Sequence, residues 1–251
     1  MDILKQSQTI KRTLDMKEEK MMIVLSWLLE FRFSTTKILS SLLENNKNTS
    51  FFFSGLVNDG FIKQVVNVHT RNERLLMLTK QGVDFLEGRE LDISNAMTAS
   101  GRLERYSMVL HDTGVQKFVS SKKERFLEVV MDRNIIGIND KNRPDALLKL
   151  KKNGNWVGLE YERWRKSTAR VFMSFVNQSN QLTRGNYGGV YFVFNTEIDQ
   201  EYYMNLFNYE RWPLFIKDQN TGKLKASGAY FDPNKVENLR RVFKFEVLAC
   251  E

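Results

Sequence analysis

Cysteine occurs once in this chain, at Cys250, so no intrachain disulfide and no cysteine-built zinc site can form. A reducing cytosol suits that inventory. Histidine occurs twice, at His69 and His111, which excludes a metal centre built from several histidines on adjacent strands. Three prolines argue against long disordered linkers. No apolar run reaches the roughly 18 residues of a membrane span, and the opening Met1-Asp2-Ile3-Leu4-Lys5-Gln6 lacks the hydrophobic core of a secretory signal. A cytoplasmic protein without a membrane span is expected. No Gly-x-x-x-x-Gly-Lys phosphate loop occurs, and Gly185-Asn186-Tyr187-Gly188-Gly189 reads as a turn before a strand, so no nucleotide cofactor is expected.

What is present is a globular composition with a basic surplus. The 251 residues are 42% hydrophobic and 12% aromatic, enough for two small domains or one large one, each with its own core. The formal charge of +8 points to an acidic polymer as partner. Most of the excess lies after residue 90, so the larger C-terminal part carries most of the positive field.

The most informative stretch is Arg143-Pro144-Asp145-Ala146 followed by Trp156-Val157-Gly158-Leu159-Glu160-Tyr161-Glu162. A carboxylate enters one short apolar strand, and two more stand at alternate positions on the next. The Asn153-Gly154-Asn155 signal between them suits a hairpin. Alternation puts Glu160 and Glu162 on one face, and a register setting Asp145 beside Glu160 gathers three carboxylates around one point. Leu147, Leu148 and Leu150, with Val157, Leu159 and Tyr161, mark both strands as buried, where acidic side chains are costly without a partner or a metal. Oxygen-only ligands suit Mg2+ or Mn2+, and a phosphodiester-cutting site needs such an arrangement.

The first 90 residues carry helical periodicity in Met21, Val24, Leu25, Leu28 and Phe31. Ser34 is the expected N-cap of a second helix carrying Ile38, Leu39, Leu42 and Leu43. Thr49 or Ser50 caps a third, with Phe53, Leu56, Val57 and Gly60 at helical spacing. Strands are predicted over 61–66 and 74–78, and a closing helix opens at Thr79. Three helices, a two-strand wing and a last helix resemble the winged helix-turn-helix domain, with Leu56-Val57-Asn58-Asp59-Gly60-Phe61-Ile62 similar to its recognition-helix-to-wing junction. The resemblance implies that the helix near 49–59 enters the major groove and that Arg71 or Arg74 of the wing meets phosphates. Lys47, Asn48, Thr49, Ser50 and Ser54 are then its polar candidates for contacting DNA. Phe51 and Phe52 suit an internal contact with the second domain better than a thymine methyl.

Residues 91–110 read as a polar connection and 111–251 as a second domain. Helices are predicted over 111–118 and 122–131 and a strand over 135–138. The acidic hairpin comes next, then a helix over 165–182, a strand over 189–194, a helix over 198–209, a strand over 213–216 and a helix over 233–241. This order, with Asp145 preceding Glu160-Tyr161-Glu162, resembles the restriction-endonuclease-like PD-(D/E)xK superfamily. With the N-terminal winged helix, the chain looks like the replication-relaxation and MobC-type plasmid mobilization proteins. The expected class is α+β or α/β: a winged helix over 1–90, then a mixed-sheet nuclease-like domain.

The resemblance makes Asp145 and Glu160 metal ligands, with the Tyr161 carbonyl as a further oxygen. It departs at Glu162, where the superfamily usually has lysine. Glu162 then serves as a ligand or takes a proton from water, and Lys166 is the candidate for the missing cation. Arg163 and Arg165 are expected on phosphate, Gln178 or Gln181 along the strand path, and His111 as a possible acid or base. The implied activity is metal-assisted nicking of double-stranded DNA at a plasmid transfer origin, with other relaxosome or coupling proteins as partners. Two histidines exclude the histidine-cluster class of relaxase. The alternatives are an inert DNA-binding relaxosome or replication factor and a winged-helix regulator.

Overall fold

Val24, Leu25 and Leu28 recur at helical spacing and are fully buried, which commits α1 (Ile3–Phe31) to a core-facing stripe. The structure, a computed structural model, describes residues 3–43, 49–70, 73–139, 142–219 and 221–248, with side chains from residue 15 onward. It divides into two units, Met1–Ser121 and Lys122–Glu251. Both mix helices with sheet, so the class is α+β. Among the described residues no helix is long and apolar enough to cross a membrane.

In the N-terminal unit, α2 (Thr36–Leu42), α3 (Thr49–Asn58) and α4 (Lys80–Glu87) join α1 around β2 (Ile62–Val66) and β3 (Arg74–Leu78). Thr35, rather than Ser34, caps α2 by accepting a bond from the Ile38 amide. Ser34 and Thr35 form β1, which pairs antiparallel with Leu76 and Leu75. Gly60, expected within the third helix, instead closes it at φ +79°, with the Phe61 amide bonding back to Leu56 O at 3.0 Å. Thr79 caps α4 by accepting from the Gly82 amide at 3.1 Å.

The continuous run Leu75-Leu76-Met77-Leu78 is buried because β3 is covered on both faces. Ile62, Leu76 and Leu78 pack with α1 to α4, while Val65, Leu75 and Met77 pack with Leu103 of α5 (Ser100–Glu104) and Val109 of α6 (Val109–Ser121). Gln116 on α6 accepts from Trp27 Nε1 at 3.1 Å and donates to Phe33 O at 3.0 Å. The division therefore falls after residue 121 rather than at 110. The helix expected to open the second domain completes the first unit.

The C-terminal unit is a five-stranded sheet in the order β10-β7-β6-β5-β4. Its strands are β4 (Phe126–Met131), β5 (Ala146–Leu150), β6 (Trp156–Glu162), β7 (Val190–Phe194) and β10 (Phe243–Val247). The first three form an antiparallel meander, and β6, β7 and β10 run parallel. Parallel neighbours need a crossover, which α7 (Thr168–Thr183) supplies between β6 and β7. After β7 come α8 (Glu197–Phe207), a separate ribbon of β8 (Trp212–Lys217) and β9 (Leu224–Phe231), and α9 (Leu239–Val242).

Three assignments are corrected. Residues 126–131 form a strand, not a helix, since β-branched Val129 and Val130 face Leu148 and Leu147 across the β4–β5 ladder. The strand expected over 135–138 is a loop broken by Gly137 at φ +84°, with Ile136 94% exposed. The helix predicted over 233–241 is reduced to a 3-10 turn, Pro233–Lys235, and α9. Strands β9 and β10 were not anticipated.

Phe175 on α7 is the hub of the C-terminal core. Its ring lies within 5.3 to 6.4 Å of Phe172, Phe192, Tyr203, Phe207, Trp212, Phe243 and Phe245. Edge-on contacts dominate, the arrangement aromatic quadrupoles favour. Phe175→Ala should cost about 3–5 kcal/mol through lost burial and an unfilled cavity. Denaturant unfolding followed by tryptophan fluorescence should show a lower midpoint, and an unchanged midpoint would contradict this packing.

Candidate functional site

The acidic stretch folds as a hairpin whose five-residue turn is closed by Gly154 at φ +71°, with Leu150 N donating to Asn155 O at 2.8 Å. The register pairs Ala146 with Leu159, and one step further sets Asp145 opposite Glu160. Asp145 is fixed at both ends: its amide donates to Leu159 O at 2.8 Å, and its Oδ2 accepts from the Tyr161 amide at 2.6 Å. On the other side of β6, Glu160 and Glu162 lie beside Phe192 and Phe194 of β7. Both glutamates therefore share the sheet face that those phenylalanines present to α7 and α8.

Glu162 is 2% exposed, and Lys166 Nζ donates to its Oε1 at 2.8 Å. Burial pushes the Glu162 carboxyl above its ordinary range, the Lys166 charge pulls it back in part, and Asp145 adds to the rise. Burial alone would lower the Lys166 ammonium, but the charges of Glu162, Glu160 and Asp145 outweigh it, and its pKa is raised. Lys166 thus stays protonated at neutral pH within the field of all three carboxylates. The linkage sign is the same for both groups. The folded state holds each proton more firmly than the unfolded chain, so stability falls as pH rises through the raised carboxyl range of Glu162, and again through the raised ammonium range of Lys166.

Glu160 is held by a relay. Its Oε1 accepts from the Gln178 amide, whose oxygen accepts from the Tyr187 hydroxyl. Gln178 is 2% exposed, a buried positioning group on α7 rather than the exposed glutamine that is the usual default. Burial and the neighbouring Glu160 push the Tyr187 phenol up, so it remains a donor. Gly158 makes room for this relay, since a Cβ there would lie 3.2 Å from the Tyr187 ring. Tyr203 stands in the field of Glu162, its phenol pushed up by burial and that charge.

Among the described residues no three His, Cys, Asp or Glu converge closely enough to hold a metal ion. The donor chemistry is still oxygen-only, as a hard divalent cation requires. Asp145 and Glu160, opposite each other on adjacent strands, are the pair that could hold one. Glu162 is engaged by Lys166, which makes it the lysine's counter-ion instead of a third member.

Beside the cluster lies an open groove of about 430 Å3 bounded by Arg143, Glu160, Lys166, Arg170, Gln178 and Lys217. Arg170 and Lys217 escaped the sequence reading. Arg170 lies one helical turn beyond Lys166, a signal that was available, whereas only the tertiary fold brings Lys217 of β8 here. Arg165, expected on phosphate, pairs with Asp199 at 2.9 Å and lies over the Tyr202 ring. Arg163 lies over Trp164 at 4.9 Å.

The other candidates lie in the N-terminal unit. His111 is on α6, 3.5 Å from Asp112, and not among the residues of the acidic cluster. On α3, Ser50 and Ser54 are exposed, whereas Thr49 is bonded to Ser40 at 2.9 Å. Phe51 is 83% exposed, and Phe52 packs against the core of its own unit beside Phe53. Arg74 is exposed and donates to Gln64 at 3.2 Å. Directly after β2, Asn67 is fully buried and donates to Leu103 O and Tyr106 O. Lys47, Asn48 and Arg71 lie outside the described residues.

No protein-family model, curated protein or solved structure matches this chain.

Two outcomes follow from the geometry. Lys166→Met removes the counter-ion, so Glu162 should hold its proton to distinctly higher pH, as read by carbon-detected NMR of its carboxyl. An unshifted titration would mean that Lys166 does not govern it. Gly158→Ala should crowd Tyr187 and cost about 1–3 kcal/mol, measured as a lowered denaturation midpoint, while Gly154→Asn at the exposed turn should cost less.

Proposed function

We propose that the C-terminal unit cuts a DNA strand with the help of a divalent cation, Mg2+ or Mn2+, and that the chain is a nicking protein of the relaxase kind acting at a plasmid transfer origin. The observation that carries this reading is the convergence of Asp145, Glu160, Glu162 and Lys166 at one end of the β5–β6 hairpin, beside a groove lined with cations. Further support comes from the order of elements. An antiparallel meander, a crossover helix and a parallel fourth strand follow one another, with Asp145 directly before the second strand and Glu160 and Glu162 on the third. The hairpin, the crossover helix and the strand after it stand in the order that the resemblance to the PD-(D/E)xK superfamily implies, while the strand before them is β4 and not residues 135–138.

Asp145 and Glu160 would hold the cation, which when bound supplies charge to the phosphoryl oxygens and a more acidic water. The remaining work falls to the chain itself. The Tyr161 amide aims Asp145, and the Tyr187–Gln178 relay aims Glu160. Glu162 holds Lys166 in place and charged, so that the ammonium can stabilise negative charge developing on a phosphate or its leaving oxygen. It thereby takes over the task of the lysine that the motif lacks at position 162. In the N-terminal unit, Ser50, Ser54 and Arg74 are the exposed groups of a winged-helix-like surface that would engage the duplex.

One observation favours a second reading. Every acidic group of the cluster already has a protein partner: a backbone amide for Asp145, Gln178 for Glu160 and Lys166 for Glu162. A cluster satisfied in this way persists without a cation, as an inert DNA-binding accessory factor would require.

Supercoiled plasmid carrying the protein's own origin separates the two readings. With Mg2+ or Mn2+ the wild type should convert it to the nicked form, and excess chelator should stop the reaction. Asp145→Ala and Glu160→Ala should each reduce the rate on the order of 100-fold or more while leaving DNA binding intact. Origin binding with no nicking under any divalent cation would establish the accessory role instead.

A further inference from the structure

The carboxylate chemistry leaves Trp164, Arg170, Lys217 and the β8–β9 ribbon unused. Trp164 is 70% exposed, in the short loop between β6 and α7. It stands two residues after Glu162 and two before Lys166, so the segment that builds the acidic site also projects an indole into solvent. An aromatic of that size ordinarily contributes to a core, and Trp212 of the same unit is fully buried. The Arg163 guanidinium over the Trp164 ring, at 4.9 Å, restrains the indole and places positive charge next to it.

The groove takes in Lys166, two residues after Trp164 in the same loop. One wall is α7, with Arg170, Ser174 and Asn177, and the other is the ribbon, with Lys217 and Leu224. The ribbon is anchored at its base by Trp212, stacked on Phe231 at 5.4 Å and 15° and packed against Phe175. Its turn is held by Asp218, which accepts from the Thr221 amide at 2.8 Å, the Thr221 hydroxyl at 3.0 Å and Lys225 Nζ at 2.5 Å. That network fixes Lys217, the residue before Asp218, at the rim. Most of β9 is exposed, so the ribbon serves the groove wall more than the core.

We infer that this groove takes an unpaired DNA strand, with its phosphates on Arg170 and Lys217 and one base stacked on Trp164, so that a phosphodiester is presented to Asp145, Glu160 and Lys166. The inference rests on the reading that DNA is the substrate and adds the strand class. Charge complementarity argues for a polyanion, since four of the twelve lining residues are cationic and Glu160 alone is acidic. The space of about 430 Å3 suits a nucleotide or two and not a duplex. An exposed indole can stack only on a base whose face is open, and a duplex leaves no such face.

Binding by the full chain in chelator tests this without cleavage. The probes are a fluorescent oligothymidine and the duplex it forms with oligoadenine. Trp164→Ala should weaken oligothymidine binding roughly tenfold, Trp164→Phe should retain most of it, and duplex affinity should stay at the wild-type level. Arg170→Gln and Lys217→Gln should each lower the dependence of log affinity on log salt by about 0.7 for the single strand. Wild-type binding by Trp164→Ala, or an equal loss on duplex, overturns the inference. The two proposals also fail separately. A protein that binds oligothymidine through Trp164 and never nicks keeps the groove and loses the catalytic reading, and one that nicks but is indifferent to Trp164 does the reverse.

Discussion

The contact between Glu162 and Lys166 is the constraint on which the C-terminal site depends. A carboxylate at 2% exposure is untenable alone, because burial penalises its charged form and Asp145 repels it. Lys166, four residues further on and just before α7, offsets both in part. The pair also ties the end of β6 to the entry of the crossover helix, so the charge balance of the site and the chain path from strand to helix are one feature. Ion pairs so deeply placed on one side are poor sources of net stability. The value of this one lies in keeping an ammonium beside Asp145 and Glu160.

Around that pair the structure spends polar groups on orientation. Gly158, Tyr187, Gln178 and Glu160 form a line of contacts that begins with a missing side chain and ends with an aimed carboxylate. Each member is buried or half-buried, and buried polar groups are tolerated when they satisfy one another. The aromatic cluster centred on Phe175 holds α7 and the base of the ribbon against the same sheet face. Core packing and site geometry therefore share one helix, with Phe172 and Phe175 turned inward and Arg170 and Asn177 toward the groove.

The N-terminal unit is organised by a different demand. Its short sheet carries apolar residues on both faces, and both have to be covered. Helices α1 to α4 bury one face, and α5 and α6 bury the other. The burial of Asn67, bonded to Leu103 O of α5 and to Tyr106 O just beyond it, is part of the same closure. Asn67, directly after β2, is consequently a fixed structural corner, while the exposed face of α3 keeps Ser50, Phe51 and Ser54 in solvent.

Much of the acidic hairpin was legible in the residues themselves. Alternation along β6 sets Glu160 and Glu162 on one face whatever the partner, and the turn at Gly154 confines the register enough to bring Asp145 opposite Glu160. The helices of the first 90 residues followed from apolar spacing and from cap residues such as Thr79, which act over one turn. What the sequence could not decide depended on contacts far apart along the chain. Whether 126–131 is helix or strand was settled by pairing with β5, and β10 by pairing with β7. The membership of α6 was settled by bonds to Trp27 and Phe33, and the arrival of Lys217 beside Arg170 by a ribbon packed on Trp212. Local patterning determined which residues share a face, because backbone geometry imposes that within a few residues. Which faces meet was decided only by burial summed over the whole fold.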